Sequence, residues 1–207
     1  MVSTDRAMVS EAAIRRIDAW LHQHAPRARA VLRPPASEPD LAAAQEAVGR
    51  PLPPDLRAWW LYADGAHFGL NADGGSLIPP GFVPYSIAEA LKSRRVWMDV
   101  ARQVARQIAP VGQWDAFISS ENNHPAGKRC ETWLPAWLPV ATNQGGGNLF
   151  VDLRGGPMYG CVMAFYRDTG ALAEPEWADM AAMLYDIADR LAENEAQLDN
   201  AGRIFWR

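Results

Sequence analysis

Four aspartates, Asp64, Asp73, Asp115 and Asp152, fall in loops or at strand positions from which two carboxylates could converge, the arrangement that general acid–base chemistry needs. Asp152 is the most sharply placed, because it alternates with Val151 and Leu153 inside an apolar run and shares a face with Phe150. One reading of this set is a small-molecule enzyme using Asp152 with Asp64 or His67. The plainer one is a carboxylate hydrogen-bonded to the turn beside it, since buried polar groups are nearly always partnered. Nucleophilic catalysis has less to stand on, for there is no Gly-x-Ser-x-Gly turn. Of the histidines His22, His24, His67 and His124, the first two are two residues apart and do not share a helix face. No His-Glu-x-x-His or paired-cysteine motif accompanies them. The residue types therefore predict no catalytic residue, no metal ligand and no cofactor.

The run WLPVATNQGGGNLFVDL, residues 137–153, sets three glycines between two apolar stretches. A phosphate loop needs Lys and Ser or Thr after its glycines at the mouth of a helix, and a dinucleotide loop needs Gly-x-Gly-x-x-Gly between strand and helix. Here Gly145, Gly146 and Gly147 lead into a strand-like run with no Lys nearby. They predict a hairpin turn that registers residues 137–141 against 148–153.

The bulk numbers narrow the partner. A formal charge of -4 and a pI near 5.6 supply no basic field for phosphate backbones, so nucleic acid is not an expected partner. With 207 residues and 49% hydrophobic content, a single domain spanning 1–207 is expected. The N-terminus lacks an apolar leader, and no run approaches the roughly 18 apolar residues of a membrane span, so no membrane partner is expected. Cys130 and Cys161 are too few for a disulfide framework, which points to a reduced, cytoplasmic protein. Nine tryptophans fit a large core, a contact surface or both.

Hydrophobic spacing then lays out the elements. Ile14, Ile17 and Leu21, with Trp20 beside them, predict an amphipathic helix that Pro26 ends, and residues 27–35 read as irregular. Ser37 caps a helix whose buried stripe is Leu41, Ala44 and Val48 and which Gly49 stops. A proline-led short helix carries Leu56, Trp59 and Trp60 and closes at Asp64-Gly65. Residues 67–85 are rich in Gly and Pro, so 77–78 and 82–83 read as edge strands or turns. Ser86 and Glu89 form a capping box, after which Trp97, Val100, Val104 and Ile108 make a core stripe reaching Pro110. Arg94, Arg95, Arg102 and Arg106 are assigned to the solvated face. Residues 112–131 read as a polar loop. Strands follow at 137–141, 148–153 and 161–166, the last apolar on both faces and so central. A final helix starting at Pro175 carries Trp177, Met180, Leu184, Ile187 and Leu191, and the apolar tip Ile204-Phe205-Trp206 is expected either to dock back on the fold or to contact a partner. Helices, then strands, then a helix mean α+β: a central, largely antiparallel β-sheet packed by N-terminal, middle and C-terminal helices.

The order Leu52-Pro-x-x-Leu56, an aromatic helix, Asp64-Gly65, Trp133-x-Pro-x-Trp137-x-Pro-Val-Ala and Leu149-Phe-Val-Asp152-Leu resembles the SUKH superfamily. The strand from Gly160 and the helix after it extend the resemblance over roughly residues 41–191. It implies the same α+β fold and a binding role without catalysis. Many bacterial members are immunity proteins that neutralise a cognate toxin, often a nuclease or deaminase, by covering its active surface. Yeast members act as cell-wall-assembly regulators and scaffolds. The expectation is therefore a protein-binding module of immunity type, with a regulatory scaffold as the alternative. Two loops combine exposed polarity with isolated aromatics, as interface rims do, and nominate Asp64, His67, Phe68, Asp73, Asp115, Glu121 and Glu131 as partner contacts.

Overall fold

The computed structural model describes residues 2–67, 74–108 and 112–207. The chain opens with helices α1 (Val2–His24), α2 (Pro26–Ala30), α3 (Glu38–Val48) and α4 (Pro54–Tyr62). Strand β1 (Val83–Pro84) leads into the long α5 (Ile87–Ile108) and then α6 (Gln113–Asn122). The sheet is completed by β2 (Trp137–Thr142), β3 (Gly147–Asp152), β4 (Val162–Tyr166) and β5 (Gly170–Ala171), and α7 (Met180–Ala192) comes after it. A hairpin of β6 (Ala196–Leu198) and β7 (Ile204–Trp206) ends the chain.

The five strands form an antiparallel meander in the order β1-β2-β3-β4-β5, so the α+β expectation holds, with β3 in the middle and β4 also inside the sheet. Val83 is in the edge strand, as its proline-rich surroundings foretold. Alternation decides which side chain meets which layer. Leu138, Leu149, Val151, Leu153, Val162 and Ala164 join one buried cluster with the apolar stripes of α1, α3, α4 and α7. Trp137, Phe150, Met163 and Phe165 point the other way into a second cluster, closed by α5 and by partly buried Trp114 and Ile118 of α6. Both faces are thus covered, which is why every residue of β2 and β3 is buried.

Local chemistry explains most boundaries. Ser37 and Asp40 form a reciprocal capping box on α3, and Gly49 ends that helix in the left-handed region. Pro26 does separate α1 from the next segment, but it also starts α2, because proline without its N–H suits a first helical turn; residues 27–30 are therefore helical rather than irregular. The last helix begins at Met180 instead of Pro175. Trp177 is still strand-like there, exchanging backbone hydrogen bonds with Val162, and Asp179 is the residue that caps α7 through Ala182 N–H at 2.8 Å. Of the two roles open to the C-terminal tip, Ile204 and Trp206 take docking on the fold: Ile204 is buried and Trp206 Nε1 donates to the Ser76 carbonyl at 2.8 Å, while Phe205 stays exposed.

Asp55 is fully buried at the start of α4 and accepts from Leu56 N–H at 3.0 Å and Ala181 N–H at 3.3 Å. Burial pushes its carboxyl above the ordinary value of 3.8, and neighbouring Asp179 pushes the same way. A raised folded pKa means the stabilising contribution is present below the unfolded pKa and lost as pH rises through the folded one. Asp55→Asn should therefore gain stability relative to the native chain between about pH 4 and about pH 7. Urea unfolding of both proteins at the two pH values tests this, and a difference that stays constant would refute it.

Candidate functional site

Asp152 is the hub of a buried hydrogen-bond network. Its Oδ1 accepts from Arg154 N–H and Nε at 3.0 and 3.1 Å, and its Oδ2 from Gly127 N–H at 3.0 Å and Arg154 Nη2 at 2.7 Å. Both side chains are 0% exposed. The Arg154 guanidinium also donates to the carbonyls of Glu121 and Lys128 and lies 5.4 Å from the centre of the Trp137 ring. This carboxylate is occupied by backbone and guanidinium donors, the turn-bonded role expected of it. Asp64 belongs elsewhere: its Oδ1 accepts from Ile87 N–H at 2.7 Å at the start of α5, and burial raises its pKa. Asp152 and Asp64 are thus held by separate sets of donors, Asp152 by Arg154 and Gly127 N–H and Asp64 by Ile87 N–H. Gly65 next to Asp64 is required by a close approach, since at φ +71 a Cβ would lie 2.3 Å from Ser86 N.

The glycine-rich turn joins β2 to β3 as the hairpin it was expected to be, pairing Trp137 with Asp152 and Thr142 with Asn148. Its amides are spent internally. Asn143 Oδ1 accepts from Gly145 and Gly147 N–H at 2.9 and 2.7 Å, and Thr142 Oγ1 from Gln144 N–H at 2.9 Å. That pattern registers a hairpin and leaves those three amides turned away from any anion.

What the tertiary structure builds instead is an apolar groove of about 340 Å3 between α5 and α6. Trp97, Val100, Ala101 and Val104 form one wall, Trp114 and Phe117 the other, and Trp133 and Phe165 complete the lining, with Glu131 and Arg167 beside them. The aromatic side chains brace each other: Trp97 stacks on Trp133 at 5.9 Å and meets Phe165 edge-on at 4.9 Å. Trp133 is 1% exposed, and its Nε1 has no hydrogen-bond partner among the described residues. Leaving such a donor buried costs about 1–3 kcal/mol. Two other clefts, each of about 480–490 Å3, mix charged and polar side chains into a mainly apolar lining. One, between α1 and α4, holds Glu11, Arg15 and Arg57. The other lies between α5 and the hairpin, where the Tyr85 and Ser93 hydroxyls donate to Asn148 Oδ1.

The groove exists because two sequence expectations fail. The α5 stripe Trp97, Val100 and Val104 was assigned to the core, yet Val96, Val100 and Val104 are 53%, 40% and 45% exposed, while Ala90, Ala101 and Ala105 are buried. Small alanines let α5 lie close against the sheet, and this rotates the valines outward. The side chains of Ile108 and Arg106, and Pro110, lie outside the described residues. Arg94 is not on the solvated face: it donates to the Pro135 carbonyl at 2.6 Å and is partly buried, which lowers its pKa. The stretch 112–131 is likewise no continuous loop, because Trp114 and Ile118, four apart, pack α6 onto the second cluster.

The nominated contact residues are scattered. Glu131 lines the groove and is largely exposed. Asp115 is exposed in the first turn of α6, and Glu121 pairs with His124 at 3.2 Å near its end. Asp64 caps α5, while exposed His67 donates its backbone N–H to Val31. Phe68 and Asp73 lie outside the described residues. Sequence reasoning missed Val100, Val104, Trp114, Phe117 and Phe165 as one surface, and the available signal was the 114/118 spacing read as helix rather than loop. Both cysteines are buried and free, and burial raises the Cys130 pKa and pushes Cys161 up to about 12. Among the described residues no cluster of three or more His, Cys, Asp or Glu is placed to hold a metal ion, and no helix is long and apolar enough to cross a membrane.

Comparison with known proteins finds a family and several relatives that this chain is similar to. The family model described as SMI1 / KNR4 family (SUKH-1) matches residues 35–186. The cell wall biosynthesis/cell cycle regulator smi1 of Schizosaccharomyces pombe is 28% identical over 180 residues, covering 84% of this chain and 35% of that protein. The cell wall assembly regulator SMI1 of Saccharomyces cerevisiae is 23% identical, covering 80% and 37%. A KNR4/SMI1 homolog of Yarrowia lipolytica is 27% identical, covering 84% and 30%. The chain thus spans about a third of the length of these relatives.

Proposed function

The chain belongs to the SMI1/KNR4 family (SUKH-1), and from that premise we propose that it is a non-catalytic, protein-binding regulatory module whose docking face is the α5–α6 groove. The observation that carries this reading is the groove's exposed apolar wall, Val100, Val104 and Phe117, each at least 40% exposed and extended along α5 by exposed Val96, beside a buried aromatic floor. Contiguous exposed apolar surface of this kind marks interaction sites, and aromatic residues in partly enclosed settings supply most interface energy. The buried carboxylate–guanidinium centre is spent on the fold, which leaves the surface rather than a constellation of reactive groups to carry function.

The printed names of the relatives favour a regulatory role over toxin neutralisation, and the cytoplasm is the proposed place of work, supported by two buried, free thiols. Neither nucleic acid nor membrane is proposed as a partner. Affinity capture with the native chain and with Val100→Glu tests the reading. The native chain should retain a specific partner that Val100→Glu loses while keeping its thermal midpoint. Identical captured sets would sink it. A captured nuclease or deaminase that the native chain inhibits would move the protein to the immunity reading.

A further inference from the structure

We propose that the α5–α6 groove takes an acidic amphipathic helix of a partner protein, its apolar side chains down in the groove and its carboxylates over the basic flank of α5. This rests on the docking reading above and adds the chemistry of the partner.

Val96, Val100 and Val104 recur every fourth residue, a ridge about 12 Å long at 1.5 Å per residue, which matches the anchor spacing of a helix laid in a groove. At 100° per residue the ridge falls between the groove residues Trp97 and Ala101 on one side and Lys92, Arg95 and Arg102 on the other. These three cations are exposed, and Lys92 and Arg95 have no ion-pair partner among the described residues, whereas Arg102 is paired with Asp99 at 2.9 Å. The bias belongs to this helix and not to the chain: α5 holds the cations Lys92, Arg94, Arg95, Arg102 and Arg106 against Glu89 and Asp99, in a protein of net charge -4. Arg94 is spent on Pro135, so the flank that faces outward is the part left for a partner. A second copy of the chain meeting this one α5 to α5 would set cation against cation, which disfavours it relative to an acidic helix.

Peptide display of helical 16-residue segments against the intact chain reads the preference directly. The recovered sequences should carry Leu, Ile or Phe at i, i+3 or i+4, and i+7, flanked by Asp and Glu. A synthetic peptide of that pattern should bind at least about tenfold more weakly to Val100→Glu, and about tenfold more weakly to the double variant Lys92→Glu/Arg95→Glu. Its Lys-for-Glu counterpart should regain binding on that double variant. Basic or unpatterned sequences, or peptides indifferent to both variants, would overturn the inference while leaving a docking function elsewhere on the surface standing. A concentration-dependent dimer abolished by Val100→Glu would overturn it in favour of self-association. No selected peptide at all, together with a captured set unchanged by Val100→Glu, would remove the docking reading as well. The conservative variant Val100→Ala, which only trims the ridge, should fold normally and weaken binding less than Val100→Glu.

Discussion

Arg154→Ala is expected to lower the unfolding free energy by about 3–5 kcal/mol, the range for removing one partner of a buried ion pair. The reason is specific to this network. The truncation strands Asp152 at 0% exposure and releases the Glu121 and Lys128 carbonyls that the guanidinium holds. Urea unfolding should show a midpoint loss of roughly 1–2 M at an unchanged slope. An ordinary buried pair can often be replaced by two apolar residues of similar volume without loss. Here Asp152→Leu/Arg154→Met should not recover, because Gly127 N–H and the Lys128 carbonyl would lose their partners, each at about 1–3 kcal/mol, while the Glu121 carbonyl would keep only the His124 and Asn123 N–H groups. A double variant as stable as the native chain would show that the pair is merely an ion pair. Amide exchange offers a second view: residues 121–128, which continue from the α6 wall of the groove, should lose protection in Arg154→Ala before the sheet does.

Trp137→Ala should cost a similar amount, about 3–5 kcal/mol, the usual range for emptying a large aromatic from a core. Trp137 is fully buried, stacks on Phe150 at 4.3 Å, meets Trp133 edge-on at 5.7 Å and lies beside the Arg154 guanidinium. Its removal therefore opens a cavity under the hub as well as between the rings. Trp137→Phe separates packing from polarity. It gives up some apolar contact but also deletes an indole N–H that has no partner among the described residues, and these opposed terms of about 1–3 kcal/mol each should bring it to within about 1 kcal/mol of the native chain. Equal losses for Ala and Phe in thermal or urea unfolding would contradict that account and assign Trp137 a role beyond filling space.

The two variants also show how legibility in the sequence is distributed. Trp137 could be placed by eye, because strand alternation is local: a period of two sends it and Phe150 to one face of the sheet wherever that sheet lies. The Ser86–Glu89 capping box and the Asn143-Gln144-Gly145-Gly146-Gly147 turn were readable for the same reason, their hydrogen bonds closing within four residues. Asp152 was readable in role, since a carboxylate between a strand and a glycine turn has backbone donors near it. Arg154 was not, because its acceptors come from residues 33 and 26 positions away.

By itself, then, the sequence determined most of the helices, the three main strands of a largely antiparallel sheet and the hairpin pairing, all consequences of periodicity and of bonds that close nearby. Only the tertiary structure decided which face of α5 is buried, that α6 forms, and that the two enclose a groove. The α5 stripes 97/101/105 and 96/100/104 lie one residue apart, and the choice between them depends on how closely the helix approaches the sheet, which Ala101 and Ala105 permit and valines would not. A ten-residue helix such as α6 is marginal alone and is held by docking Trp114 and Ile118 on the second cluster, a contact no local window contains.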